Sequence, residues 1–465
     1  METKQRNTVL AVLFVGVLMG ALDIAIVGPA LPAIQAQFDL DTRAASWIFS
    51  AYVLANLVGT PLMAKLSDYF GRRAIYITDV ALFALGSVVV IASASVGGFA
   101  LLLAGRAIQG LGAGGIFPVA SAVIGDTFPA DRRGRALGLI GAVFGIAFVI
   151  GPILGGVLLL AGWQWLFVIN LPIAVVVIVL AWRVLPSDRL PDPGRFDSLG
   201  MVLLGGALLT LALGLVSIDT TAFWASLASP LVWGSLLISV LCWVALVAVE
   251  RRAANPVFPV ALFARRQLRV GYLLTAGAGL GEASLVFLPL LAVAALAVEP
   301  STASFLLMPV VLAMSVGSPL AGRLLDRFGS RSVILAGVAV LTAGMLLLGQ
   351  TGSVLGWYIA AGVLIGLGLS ALLGAPIRYV TLNETTATER SAGQGMVNIF
   401  TSTGQLLGAA AVGAIAASGT VAAYLQAYTL IGVLGVVLFV IALMLKRRAQ
   451  ENLPVAAPAV VDDHA

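Results

Sequence analysis

Fourteen apolar runs, each of about 18 to 27 residues, divide this chain and leave it little choice of fold. They lie near residues 8–32, 45–65, 74–94, 99–122, 136–160, 164–183, 198–217, 230–249, 270–296, 302–322, 332–350, 354–375, 391–417 and 421–446. A helix of about 20 residues crosses the hydrocarbon core of a bilayer and pairs its own backbone groups where no water can. The runs are continuous instead of alternating every second residue, which excludes a transmembrane β-barrel. Composition agrees, with 60% of residues hydrophobic and only 10% charged, too few charges to cover soluble cores. The 52 Gly and 20 Pro fall largely inside the runs, as in packed membrane helices. The chain therefore reads as an all-α membrane protein with 14 transmembrane helices.

The first run follows Lys4 and Arg6, is too long for a signal peptide and contains Asp23, so it reads as an uncleaved span. A cytoplasmic N-terminus puts 24 of the 26 Lys and Arg residues, Arg378 among them, on the cytoplasmic side. Arg43 falls outside and Arg106 within a span. This asymmetry orients the chain in the plasma (inner) membrane with both termini cytoplasmic. The single His464 and single Cys242 leave no cluster for zinc and no His base for a nucleophile, and no phosphate-binding GxxxxGK[ST] occurs. These exclusions argue against an enzyme and against any cofactor other than protons as coupling ion. The net charge of +5 is spread between the spans, so nucleic acid is not an expected partner. The expected partners are a small lipophilic substrate and membrane lipids, with no obligate protein partner evident.

The chain is also duplicated. The segment from Ala64 to Arg73 recurs as Gly322 to Arg331, every matched residue offset by 258. Gly110-Leu-Gly112 recurs as Gly366-Leu-Gly368, and Arg133 with Gly138 as Arg390 with Gly395, at offsets of 256 and 257. Matching spans 1–6 with 9–14 gives an N-terminal six-span bundle (1–185), a C-terminal six-span bundle (263–448) and an inserted span pair with cytoplasmic linkers (186–262). Parallel six-span halves recur in transporters, with the substrate path between them. Residues 449–465 read as a disordered cytoplasmic tail.

These residues resemble the major facilitator superfamily, and within it the fourteen-span drug:proton antiporters, over residues 5 to 448. The loop Ser67-Asp68-Tyr69-Phe70-Gly71-Arg72-Arg73 and its second copy carry the resemblance first. Arg106-Ala-Ile-Gln109-Gly110 is similar to the family's proton-coupling motif. Gly138, then Ala147, then Gly151-Pro152-Ile-Leu-Gly155-Gly156 resembles its antiporter motif. Leu22 to Pro32, and Trp163 through Asn170-Leu-Pro172, are similar to fourteen-span members in particular. Ala25 and Gly28 stand where such exporters often carry hydrogen-bonding Thr and Asn. The resemblance implies a major facilitator fold of two six-helix bundles plus two inserted helices. It also implies that close packing of span 5 seals one side against leak.

A charge near the bilayer centre costs about 2.5–3.5 kcal/mol on insertion scales, so each should line the bundle interior or find a partner. Helix rise puts Asp23 ~13 Å below Pro32 and Arg106 ~10 Å below Phe99, at similar depth. An Asp23–Arg106 pair either fixes spans 1 and 4 together or frees Arg106 when Asp23 is protonated; an antiporter favours the second. Glu282, ~20 Å along span 9 from Arg269, has no basic residue at its depth. It suits a proton carrier, a site that ionises when a cationic substrate arrives, or a carboxyl hydrogen-bonded to a neighbouring helix. Asn398, Ser402 and Gln405 share one face of span 13 and either line the substrate cavity or join helices. Gln109 shares the face of Arg106. Asp79 and Asp126 read as interfacial. Asp68 with Gly71, Arg72 and Arg73, and Asp326 with Gly322, Arg327, Gly329 and Arg331, read as two cytoplasmic latches.

The expected function is proton-coupled export of lipophilic, cationic or amphipathic compounds by alternating access. A lipid or amphipathic-metabolite exporter on the same scaffold is the alternative, suggested by Ala25 and Gly28. A membrane-embedded enzyme is the remote one.

Overall fold

The computed structural model describes residues 3–128, 130–186, 197–218, 225–226, 228–253, 256, 260–385 and 390–448. The tail at 449–465, with His464, lies outside them, as do the side chains of Asp68 and Asp326. No strand occurs among the described residues.

The first part of the chain forms α1 (Thr3–Phe38), α2 (Thr42–Phe70), α3 (Arg72–Ala92), α4 (Gly98–Thr127), α5 (Ala130–Leu159) and α6 (Asn170–Val184). Then come α7 (Ser198–Val216) and α8 (Pro230–Glu250). The remainder forms α9 (Arg266–Ser284), α10 (Leu288–Leu296), α11 (Pro300–Phe305), α12 (Met308–Phe328), α13 (Ser330–Thr351), α14 (Leu355–Leu373), α15 (Ala375–Asn383), α16 (Arg390–Ile415) and α17 (Val421–Ala442). Local chemistry sets the ends. The Asp41 carboxylate accepts from the Ala44 N–H at 2.6 Å to start α2, and Asp197 accepts from Gly200 at 2.8 Å to start α7. Gly71 and Gly329, the matched glycines of the two repeated loops, take φ of 95° and 79° between consecutive helices, a region that disfavours side chains.

Among the described residues, eleven helices are long and apolar enough to cross a membrane, or twelve if α9 and α10 form one bent span. The runs at 136–160 and 391–417 lie in α5 and α16, which have side chains outside the described set. The run at 270–296, read from sequence as one span, is bent by 43° at a 3₁₀ turn over Leu285–Phe287. Pro289 has no N–H for the Leu285 carbonyl, which breaks the helical ladder there. Two tyrosine hydroxyls donate to carbonyls flanking the break: Tyr428 to Ser284 at 2.8 Å and Tyr358 to Leu288 at 3.1 Å.

Packing repeats with the sequence. Helix α4 lies along α2 and α3 as α14 lies along α12 and α13, and α1 packs on α5 as α9 packs on α16. The close approaches repeat as well, the glycines at an offset of 256 and the residues they press on at 258. A Cβ on Gly110 would strike the Tyr52 carbonyl, and one on Gly366 the Val310 carbonyl. Gly112 is likewise pressed on Phe83, and Gly368 on Leu341. Small residues let backbones approach where lipid supplies no hydrophobic drive to bring helices together. Helices α7 and α8 pack on each other, with α7 also touching α2 and α16, while Trp233, Val240 and Val244 of α8 stay exposed.

Helix α16 offers a direct test of this packing. Gly404 leaves no room for a Cβ against the Ala276 carbonyl of α9, whereas Gly395 has nothing within 4 Å. Gly404→Ala is expected to destabilise the protein by about 1–3 kcal/mol, the usual cost of overpacking. Gly395→Ala should leave thermal unfolding in detergent unchanged, and equal unfolding temperatures for the two variants would refute the packing argument.

Candidate functional site

Five segments of the N-terminal part converge on the network around Arg106 of α4. Its Nη1 is 2.6 Å from Asp23 Oδ2 of α1, and neither side chain is exposed. Nη1 also donates to Gln109 Oε1 at 2.8 Å, and Nε donates to the Ile48 carbonyl of α2 at 3.2 Å. The guanidinium lies 4.4 Å from the Tyr52 ring centroid and 5.8 Å from that of Phe167, faces that favour a cation. Gln109 Nε2 donates to Asp23 Oδ1 at 3.3 Å and to Ser87 Oγ of α3 at 2.7 Å, and Asn170 Nδ2 of α6 reaches the same Ser87 oxygen at 3.3 Å. Arg106 Nη2 and Tyr52 Oη are buried without a hydrogen-bond partner among the described residues. Sequence reasoning missed Ser87 and Tyr52, which carry no spacing signal in an apolar span. Asn170 was visible only as part of Asn170-Leu-Pro172.

The second carboxyl is held differently. Glu282, in the last turn of α9 before the bend, is half-buried, and its Oε2 accepts from Gln405 Nε2 of α16 at 3.0 Å. It therefore has the neighbouring-helix partner that was one of its open readings. Gly404 and Gly408 of α16 press on Ala276 and Leu280 of α9, whereas Gly413 meets Ser46 of α2. At about 100° per residue, Asn398, Ser402 and Gln405 fall between those two directions and face the space bounded by α9 and α2. These three do not act as one cluster. Gln405 joins Glu282, while Asn398 accepts from Arg378 at 3.1 Å about two turns away.

Three sequence positions gain a structural setting. Asp79 is fully buried, on α3 against α4. Helix α3 starts at Arg72, so Asp79 lies two turns in, and α4 approaches so closely that a Cβ on Gly115 would overlap the Asp79 carboxyl. Neither carboxyl oxygen has a hydrogen-bond partner among the described residues. Arg378, which the sequence places on the cytoplasmic side, sits in α15, inside the candidate span Leu355–Asn383. Ala25 and Gly28 both lie in close packing contacts. A Cβ on Gly151 would strike Ala25, and a Cβ on Gly28 would lie 3.3 Å from Val286 backbone atoms.

The repeated loops make contacts beyond their own segments. Arg72 Nε is 3.2 Å from Asp126 Oδ2 at the end of α4, and its Nη1 donates to Ser67 Oγ at 2.6 Å. Arg73 donates to the Trp182 carbonyl at 3.4 Å. In the second copy, Arg331 donates to the Leu443 carbonyl at 2.9 Å, Arg327 lies 5.3 Å from the Phe328 ring centroid, and Gly322 has nothing within 4 Å of its would-be Cβ. The Asp68 and Asp326 side chains of the latch reading lie outside the described residues.

In the antiporter-like stretch, Pro152 sits within the single helix α5. Gly151 and Gly155 face Ala25 and Pro29 of α1, and Gly156 faces the Phe305 ring of α11. The surroundings of Gly138 lie outside the described residues. Gly156–Phe305, Gly28–Val286, Gly413–Ser46 and a Thr42–Tyr424 hydroxyl contact of 2.8 Å all join the two repeats near one end of the bundle. At that same end a cleft of about 610 Å³ opens between Asp39, Asp41, Leu290, Val293 and Tyr424.

Two helical repeats around a shared interior, with a buried ion pair in one and a bridged carboxyl in the other, form a transporter-like arrangement. The sequence profile described as "Major Facilitator Superfamily" matches residues 13–288 and 271–461. The chain belongs to the major facilitator superfamily. This transporter is 33% identical over 413 residues to the uncharacterized MFS-type transporter YfiU of Bacillus subtilis (strain 168), covering 87% of this chain and 79% of that one. It is 32% identical to the tetracenomycin C resistance and export protein of Streptomyces glaucescens, covering 88% and 76%. It is 28% identical to the multidrug transporter protein MdtP of Bacillus subtilis (strain 168), covering 83% and 71%. In fold it resembles a bacterial homolog of the human lysosomal transporter Spinster, with a TM-score of 0.67, 16% identity and coverage of 95% and 96%. It also resembles a D-xylose–proton symporter, with a TM-score of 0.66, 14% identity and coverage of 93% and 96%.

Proposed function

We propose that this transporter is a fourteen-span proton antiporter that exports lipophilic cationic or amphipathic compounds by alternating access. In this reading α5 and α16 complete the fourteen spans, two six-span bundles flank the inserted pair α7–α8, and the transporter sits in the plasma membrane with both termini in the cytoplasm. The end that carries Asp39 and Gly419 then faces outward, and the chain is closed on that side.

The observation that carries the reading is a pair of carboxyls in unlike settings. Asp23 is sealed against Arg106 and Gln109, the latter held by Ser87, so its protonation and the freedom of Arg106 are linked. Glu282 stands half-buried on a wall of the inter-repeat space and is bridged by a neutral amide, which leaves its charge available to a cation. Protons arriving from outside discharge Asp23, loosen the pair and tip the halves. Protons or substrate then exchange at Glu282. The weak cytoplasmic ion pairs, each worth about 0–1 kcal/mol, bias the two states without locking either. Names such as multidrug transporter among the relatives support the substrate class.

The lipid-export alternative drew on Ala25 and Gly28, whose packing against Gly151 and Val286 accounts for both residues without reference to substrate. The deciding measurement is substrate-induced proton movement in everted vesicles carrying an imposed pH gradient, across a panel of lipophilic cations. Wild type should release protons only with a transported cation, and Glu282→Gln should lower that signal at least tenfold. Correctly inserted protein that moves no protons with any cation would sink the antiport reading.

A further inference from the structure

Arg378 gives the space between the halves a second charged pole. It sits on the short helix α15, exposed, with Nη1 donating to Gln394 Oε1 at 3.2 Å and Nη2 donating to Asn398 Oδ1 at 3.1 Å. The Gln394 amide returns a bond to the Arg378 carbonyl at 3.1 Å. Gln394, Asn398 and Gln405 lie on one face of α16, and Gln405 in turn holds Glu282. One helix therefore carries an amide that orients a guanidinium and, seven residues on, an amide that orients a carboxylate. At 1.5 Å per residue, the two orienting amides, Asn398 and Gln405, are separated by ~10 Å along α16. In the N-terminal half, by contrast, the charges of Asp23 and Arg106 neutralise each other and are fully buried.

We propose that Arg378 and Glu282 form a two-pole substrate site selective for dipolar compounds: a cationic group that seats at Glu282 and, about 10 Å away, an anionic group that seats at Arg378. The inference rests on the export reading above and adds the second half of the substrate. A planar guanidinium carries five N–H groups, of which Gln394 and Asn398 take two, and the remaining donors suit a carboxylate, sulfonate or phosphate oxygen pair. A dication of the same length sets its second charge against Arg378 and is rejected, so the site discriminates by repulsion as well as attraction.

Binding to the purified full-length protein, measured by calorimetry, separates this proposal from the transport reading. Three probes share one alkyl body: a quaternary-ammonium monocation, a zwitterion with a sulfonate ~10 Å from the ammonium, and a bis-quaternary dication of equal length. Wild type is expected to prefer the zwitterion over the dication at least tenfold. Arg378→Gln should bring that ratio to near one, Arg378→Glu should invert it, and Arg378→Lys, which keeps the charge, should retain most of it. Monocation binding in each variant provides the reference for a folded site. A wild type that fails to bind the zwitterion, or a ratio unmoved by Arg378→Gln in protein that still binds the monocation, would overturn the two-pole site. Failure of the export reading shows separately, as absent proton movement with the monocation in vesicles.

Discussion

Asp23→Ala is expected to cost this transporter about 3–5 kcal/mol of stability, because it strands Arg106 as a buried charge without its counter-ion. Arg106 has no exposure to solvent, and its Nη1 bond to Asp23 is a charge-assisted contact of 2.6 Å. The Ile48 carbonyl and the Gln109 amide oxygen remain as partners, but neither carries a compensating charge. Asp23→Asn keeps the shape and a hydrogen-bonding oxygen, so it should fold better than Asp23→Ala while losing proton coupling. Neutralising both sides with Asp23→Asn and Arg106→Gln should restore more than half of the lost stability, since the stranded charge is gone. Coupled transport should stay absent in that double variant. Thermal unfolding in detergent reads the first effect and vesicle proton movement the second. An Asp23→Ala protein as stable as wild type would mean that the pair carries no structural weight.

A wedge at the closed end should abolish transport while leaving each half folded. Gly413 has Ser46 atoms of the other repeat 2.6 Å from its would-be Cβ, and Gly28 has backbone atoms of Val286 at 3.3 Å. Leucine at either position crowds the other repeat, against the Ser46 side chain at Gly413 and against Val286 backbone, which does not swing aside, at Gly28. Alternating access requires both ends to close in turn. Gly413→Leu and Gly28→Leu are therefore expected to lower transport at least tenfold. The opening is read by maleimide labelling of Thr42→Cys in a Cys242→Ser background. Thr42 is 1% exposed and bonded to Tyr424 across the repeats, so the thiol should be inert until the wedge is added. Wedge variants that transport normally, or that leave the thiol unreactive, would place the gate elsewhere.

Much of this architecture was legible before any coordinates. Apolar run length reports membrane helices directly, and the 258-residue offset between Gly71 and Gly329 pointed to the repeat whose packing then matches residue for residue. Helix rise alone put Asp23 and Arg106 at similar depth, and their charges left few other partners inside a bilayer. The rest was hidden for identifiable reasons. Asp79 looked peripheral because distance from a span end says nothing about how closely the next helix approaches, and that approach is set by Gly112 and Gly115 on α4. Asn398, Ser402 and Gln405 looked like one group because they share a face, yet their partners sit on different helices at different heights. Arg378 fell beyond the apolar run at 354–375, and the short helix α15 that carries it continues the span there.

The amino-acid sequence by itself determined the long apolar helices and the duplication, because these follow from the length and composition of continuous segments. Only the tertiary structure decided that Glu282 meets Gln405, that Asn398 meets Arg378 and that Gly28 lies on the Val286 backbone. Those pairings depend on the rotation of each helix about its own axis and on its distance from its neighbours. In a bilayer both are set by side-chain packing between segments far apart in the chain, and no pattern within one segment encodes them.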